Sequence, residues 1–268
     1  MLFHCRLLPY LFLFLAAAAP CRAHETITIC GTGDSQHLLR VLGHFFEESH
    51  HDTTIHVPDS VGSSGGIRLT AEGQCELGRT ARPLKEKEKK YNLQYTLFAS
   101  SPVVFIVHEN VPVSDMTSEQ ATAVLSGKIH NWRQLGGDDM NILIANREAG
   151  DSSRTALEKN IPALKDISNW AGETIFSTQE TIDTVSRYKG TVSFAPLAMA
   201  NAPKVRILTY NGVAPTPENV QAGLYPLTVP LGLVWREELS GSSKAFVEFI
   251  KTPQAKKILL QNGAIPAE

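Results

Sequence analysis

Residues 25–35 read ETITICGTGDS, and this stretch sets the fold class. Glu25 to Cys30 alternates polar and apolar side chains, the period-two signature of a strand. Gly31 to Ser35 is a run of small and hydroxylated residues suited to a tight turn. Leu38, Leu39, Val41, Leu42, Phe45 and Phe46 then recur at helical spacing and form one apolar face. Strand, Gly/Ser/Thr turn and helix follow one another twice more. One repeat is the turn GSSGG (62–66) after the strand reading Thr53 to Val57, the other REAGDSSR (147–154) after the strand reading Asn141 to Asn146. Strands alternating with helices predict an α/β fold with a largely parallel sheet.

The remaining chain fits that pattern. Glu76 to Thr80 reads as a strand, and Val103 to His108 is a long apolar run suited to crossing between two lobes. Thr117 to Leu125 reads as a helix opened by the capping box Thr117-x-x-Gln120. Thr178 to Arg187 reads as a helix and Thr191 to Phe194 as a strand. Two helices close the chain, Ser242 to Ile250 and Pro253 to Asn262, with Gly263 where the last one stops. The sequence contains no internal repeat, low-complexity tract or Pro-rich linker. Two lobes joined by strands, with a cleft between them, are the expected organisation.

The 268 residues are 43% apolar and 19% charged with a formal net charge of −2, which excludes a generally basic nucleic-acid binder. Leu7 to Ala19 is an apolar run of leader length, and Cys21 and Ala23 put small residues at −3 and −1 of a cleavage before His24. The run is too short to span a bilayer comfortably. Residues 1–23 are therefore read as a cleaved signal peptide; the rival reading, acylation at Cys21, is opposed by Pro20. Cys30 and Cys75 remain after cleavage. Export permits a disulfide between them. Both fall in strand-like segments, however, and parallel neighbouring strands are poor bridge geometry, so two buried thiols are the favoured reading.

Each of the three turns exposes backbone N–H groups at a helix start with hydroxyls beside them, which is a ready anion site. In open α/β sheets ligands bind beyond the carboxyl ends of the strands, where all three turns lie. Arg147 and Arg154 flank the third turn, and Arg79 and Arg82 follow the third strand. Guanidinium forks, hydroxyls and amides are what a tetrahedral oxyanion requires. No G-x-x-x-x-G-K-[ST] or G-x-G-x-x-G nucleotide fingerprint is present, and no HExxH, CxxC or G-x-S-x-G. His37, His44 and His51 are spaced by seven, but His37 and His44 fall on the polar helix face. They read as solvated surface rather than metal ligands. No catalytic residue, metal or cofactor is expected.

The stretches GTGDSQ (31–36), GSSGGI (62–67), GRTARPL (78–84), SGKIHNW (126–132), REAGDSSR (147–154), NGV (211–213) and LYPL (224–227) resemble, in order and spacing, the phosphate-type substrate-binding proteins of bacterial ABC importers. The resemblance implies the two-lobed type II periplasmic binding protein fold, each lobe a mainly parallel sheet flanked by helices, closing on a ligand in the cleft. The expected lobes are 24–106 with 200–268, and 107–199. It further implies anion contacts from Ser35 and Gln36 in the first turn and from Ser63 and Ser64 in the second. Arg147 matches the arginine that grips the anion, and Ser152 and Ser153 match the glycine and threonine of a G-S-G-T turn. Arg82 matches an arginine used in a divergent branch.

Two departures matter. The acidic residues that accept a phosphate proton in the resembled family fall at Ala81 and Ala149. Asp151 inside the third turn is the first candidate to replace them, and Asp34 in the first turn the second. The expected function is capture of inorganic phosphate in the periplasm by a monomer that delivers it to an ABC permease of the inner membrane. The alternatives are another oxyanion such as sulfate, molybdate or tungstate, or, in a different class, a secreted phosphate-scavenging hydrolase.

Overall fold

The computed structural model describes residues 24–239 and 241–267; the leader reading of residues 1–23 lies outside them. In chain order the elements are β1 (Glu25–Gly31), α1 (Gln36–Glu47), β2 (Thr53–His56), α2 (Gly62–Ala71), β3 (Leu77–Thr80), β4 (Gln94–His108) and β5 (Asp115–Met116). They continue with α3 (Ser118–Leu125), β6 (Leu143–Arg147), α4 (Ser152–Asn160), β7 (Glu173–Ile175), α5 (Thr178–Arg187) and β8 (Thr191–Pro196). The last are β9 (Val205–Ile207), β10 (Thr209–Tyr210), α6 (Pro217–Gln221), β11 (Thr228–Trp235), α7 (Gly241–Phe249), α8 (Pro253–Gln261) and β12 (Ile265–Pro266). Among the described residues, no helix is long and apolar enough to cross a membrane.

The strands line up as β2-β1-β3-β11-β4-β8-β6-β7. β1 runs parallel to β2 and β3, and β6 runs parallel to β7 and β8, so each half carries a parallel set. The halves share β4, which is 15 residues long, about 50 Å at strand rise. Its first part, through Pro102, pairs antiparallel with β11, and from Val103 onward it pairs antiparallel with β8. The partner change coincides with the apolar run that the sequence marks as a crossing. Residues 205–210, grouped with the first lobe by the sequence reading, instead pair with the far end of β4 and with β5. The return crossing therefore falls near Leu227, whose carbonyl accepts the Val103 N–H at 2.8 Å.

The core explains the strand composition. Parallel strands covered on both faces need apolar residues throughout. Ile27 and Ile29 of β1 pack with Leu38, Leu39, Leu42 and Phe46 of α1, and Val104 to Val107 of β4 pack with Val185 and Phe194. Trp132 and Trp170 are buried within the core. His37 and His44 lie on the exposed face of α1.

One expectation is overturned. Cys30 and Cys75 form a disulfide, with Cα atoms 6.1 Å apart, and are not free thiols. Cys75 lies in the turn between α2 and β3, two residues before the strand begins, and so escapes the parallel-strand constraint that argues against pairing.

Candidate functional site

The three turns converge on one cavity of about 310 Å³ between the halves. The first half contributes Thr32, Gly33, Asp34, Ser60 to Ser64, Arg82 and Lys85. The second contributes Arg147 to Ser152, Phe176 and Thr178. The chain enters the first turn through Gly31, at φ 146°, where a Cβ would lie 2.0 Å from the Arg79 carbonyl oxygen. Only glycine permits that approach.

Arg79, fully buried, is what fixes the first turn. Its guanidinium donates to the carbonyls of Thr32 (2.6 Å), Pro58 (2.7 Å) and Ile29. Burial, then Arg40, pulls its pKa down to about 10, so it stays charged at neutral pH. It is a structural latch beneath the turn and does not line the cavity.

Asp34 lies in the short 3-10 turn Gly33–Ser35 and is 2% exposed. Its Oδ1 accepts from Thr178 Oγ1 at 3.2 Å, across the cleft, while its Oδ2 is buried without a partner. Burial, and next the Asp151 charge, push its pKa from 3.8 up to about 7; Arg147, Thr178 and Thr32 offset this only in part. A carboxyl in this state exchanges its proton near neutrality.

The second turn opens α2, and Val61 provides no side-chain cap to the N–H groups there. Those groups and the helix dipole favour an anion. Ser63 Oγ accepts the Ala81 N–H at 3.0 Å, so its own O–H is free to donate. Arg82 also lines the cavity, but its fork grips Glu88 through two 2.7 Å bonds and it donates to Ser64 Oγ at 2.8 Å. Burial raises the Glu88 carboxyl, yet Arg82 and the Lys85 N–H more than offset it and hold it below the usual carboxylate range.

In the third turn Arg147, 5% exposed, donates to Asp151 Oδ2 at 2.7 Å and to Thr181 Oγ1 at 3.1 Å. Asp151 is also the N-cap of α4, its Oδ1 accepting the Arg154 N–H at 3.0 Å. Arg154 points elsewhere: it bonds Glu158 and the Arg147 carbonyl, and lies over the Trp170 ring.

Of the sequence-derived candidates, Ser63, Ser64, Arg82, Arg147, Asp151 and Ser152 line the cavity. Ser35 and Ser153 are buried outside its lining, and Gln36 lines an adjoining cavity with Gly33, Ser60 and Thr178. Gln36 donates to Asp59 at 3.2 Å, and the hydroxyls of Ser35 and Ser153 have no partner. The ranking of the two acidic candidates also changes. Asp151 commits both oxygens to protein partners, whereas Asp34 keeps one free.

The sequence reading misses Thr32, Lys85 and Thr178 as cavity residues. Thr178 carries a recognisable signal. β7, the turn at Phe176 and Ser177, and α5 form a fourth strand–turn–helix unit, with Ser177 capping through the Glu180 N–H at 3.1 Å. Chemically, the cavity combines donors from four helix-opening turns with arginines already neutralised by carboxylates, which suits one small oxyanion of modest charge.

The sequence model of the PBP superfamily domain matches residues 16–253. The phosphate-binding protein PstS of Bacillus subtilis (strain 168) is 26% identical over 251 residues, covering 91% of this chain and 82% of that protein. PstS of Borreliella burgdorferi is 24% identical over 217 residues, covering 76% and 77%. Among solved structures, a substrate-binding protein from Clostridium perfringens with bound phosphate superposes with a TM-score of 0.81 at 27% identity, covering 91% of this chain and 100% of that one. An ABC-type phosphate transport receptor from Vibrio cholerae gives 0.65, also at 27% identity, covering 89% and 99%. With its shared strand, its cleft between two α/β halves and a profile match over most of its length, the chain belongs to the PBP superfamily.

Proposed function

We infer that the protein captures inorganic phosphate in the periplasm and delivers it to an ABC permease, acting as a monomer with no chemical step. The observation that carries this reading is the cavity itself. Donors from both halves face one polar space, and a free carboxyl oxygen, Asp34 Oδ2, waits for a proton. Phosphate near neutrality brings such a proton. Arg147, the Ser63 hydroxyl and the N–H groups opening α2 would take the other oxygens. Charge-assisted bonds contribute about 1.5–3 kcal/mol each, so four or five suffice for the roughly 8 kcal/mol of a micromolar complex.

Two segments link the halves, β4 at Val103 and the return at Leu227, and they form the hinge of this reading. The PstS names of the relatives and the bound phosphate in the Clostridium structure support it. The experiment is calorimetry of residues 24–268 with phosphate, sulfate, molybdate and tungstate, paired with small-angle scattering. Micromolar phosphate binding with compaction is expected. Binding of another oxyanion in its place would overturn the phosphate reading.

A further inference from the structure

We propose that the cleft also accepts a phosphoryl group carrying a compact apolar substituent, as in a phosphate monoester or a phosphonate, with the phosphoryl oxygens on the donors and the substituent against Phe176 and Val61. This rests on the phosphate reading of the site and widens it from the inorganic ion to an organic substrate class.

Size is the first observation. The halves already touch through the Thr178–Asp34 bond, yet they leave about 310 Å³ between them. That volume lies at the lower end of the roughly 300–1,000 Å³ of pockets that hold whole small organic molecules. At the share of about 30 Å³ that a water occupies in the liquid, it has room for about ten waters, more than a phosphorus and its oxygens fill.

The lining is the second. Val61 from the first half and Phe176 from the second both line this cavity, and they are 51% and 68% exposed. Ala149, also exposed, lines it too. Both large side chains stand at fixed points of the fold. Val61 directly precedes α2, and its N–H donates to the Gly31 carbonyl at 3.0 Å. Phe176 lies between the end of β7 and Ser177, which caps α5. An inorganic phosphate turns oxygen to every side. Bound on the donors, it would set oxygen against these apolar surfaces or leave them in water. A phosphoryl group with carbon on one side satisfies the donors and covers the apolar side chains together.

The polar surroundings fix the direction. The adjoining cavity that shares Gly33, Ser60 and Thr178 is lined by Asp59, Glu180, Asp183 and Arg187, and it offers mainly charged and polar groups. An apolar substituent is therefore directed to the side of Val61, Ala149 and Phe176.

The probes are inorganic phosphate, methylphosphonate, phenylphosphonate and phenyl phosphate. Each is titrated by calorimetry into residues 24–268 at one fixed pH, alone and against protein saturated with inorganic phosphate. Phenylphosphonate is expected to displace inorganic phosphate and to bind at least about tenfold more tightly than methylphosphonate, the gain from covering the ring. Phenyl phosphate sets an oxygen between ring and phosphorus, so the order of the two phenyl ligands tells which linkage the cavity fits, and either order supports the proposal. Phe176→Ala, a change at an exposed side chain, is expected to lower the phenyl-to-methyl affinity ratio by about tenfold. Phenyl ligands that fail to displace phosphate, or that bind no more tightly than methylphosphonate, overturn the proposal while the phosphate reading stands. So does a Phe176→Ala protein that keeps the wild-type ratio. If inorganic phosphate itself fails to bind, the reading of the site falls and this inference falls with it.

Discussion

Thr178 Oγ1 donates a 3.2 Å hydrogen bond to Asp34 Oδ1, joining residues 144 positions apart from the two halves of the molecule. Beside them Gly33 has no side chain. A Cβ there would stand 3.1 Å from the Thr178 hydroxyl oxygen, so the turn after β1 and the start of α5 meet almost backbone to side chain. The contact bridges the two halves at the lining of the cavity.

Thr178→Val keeps the shape and removes the hydroxyl. A hydrogen bond of this kind contributes about 1–1.5 kcal/mol, so phosphate affinity is expected to drop about tenfold. Thr178 acts between the halves, so the melting temperature of the ligand-free protein should hardly move. Calorimetry with a melting control checks both. Unchanged affinity would show that this contact does not contribute to closure.

Arg147 and Asp151 behave as a buried pair, with side chains 6% and 8% exposed. Arg147→Ala should abolish detectable anion binding and also destabilise the fold by about 3–5 kcal/mol, because it strands the Asp151 charge. The double variant Arg147→Ala/Asp151→Ala should recover a large part of that stability and none of the binding. Asp151→Asn keeps a good helix cap and loses the ion pair, so it should lower stability. Melting curves and calorimetry of the three proteins test this. Restored binding in the double variant would show that Arg147 does not hold the anion.

The sequence carries most of this site, because each turn announces itself locally. Glycines and hydroxyls sit between an alternating strand and an apolar helical face at Gly31, Gly62 and Gly150. What sequence cannot show is how a side chain spends its hydrogen bonds. Arg79, Arg147 and Arg154 look alike as arginines beside turns. Yet one is a latch on carbonyls, one lines the cleft, and one lies on Trp170. Asp151 and Asp34 are likewise indistinguishable until Arg147 and the α4 cap claim both oxygens of the first. The lobe boundary near Leu227 and the Cys30–Cys75 bridge depend on long-range pairing. Cys75 lies one residue before the strand reading Glu76 to Thr80 and two before β3 itself, so the parallel-strand constraint never applied to it.

That bridge closes a sequence separation of 45 residues, which by chain entropy corresponds to about 4 kcal/mol of stabilisation. The paired replacement Cys30→Ala/Cys75→Ala should therefore lower the melting temperature by roughly 8–16 °C for a domain of this size. Reductant should act on the wild type in the same direction and leave the double variant unaffected. Cys30 immediately precedes the first turn, so a smaller loss of anion affinity is expected as well. Identical melting of oxidised and reduced wild-type protein would refute the assignment.

The last prediction concerns the hinge. Val103 donates its N–H to Leu227 O at 2.8 Å and receives the Tyr225 hydroxyl on its own carbonyl at 2.8 Å. Both crossing segments are thus fastened at the residue where β4 leaves β11 for β8. Tyr225 is 1% exposed, so Tyr225→Phe leaves the buried Val103 carbonyl short of a donor without opening a cavity. An unsatisfied buried acceptor costs about 1–3 kcal/mol, which corresponds to a melting temperature lower by roughly 3–10 °C. Looser fastening at this point should also broaden the range of lobe angles in the ligand-free protein. That would appear as a larger radius of gyration that returns to the wild-type value when phosphate is added. Because the cleft residues are untouched, phosphate affinity should fall by less than about tenfold, the penalty for closing from a wider ensemble. A variant with wild-type melting and wild-type scattering would show that the Tyr225 hydroxyl plays no part in joining the two halves.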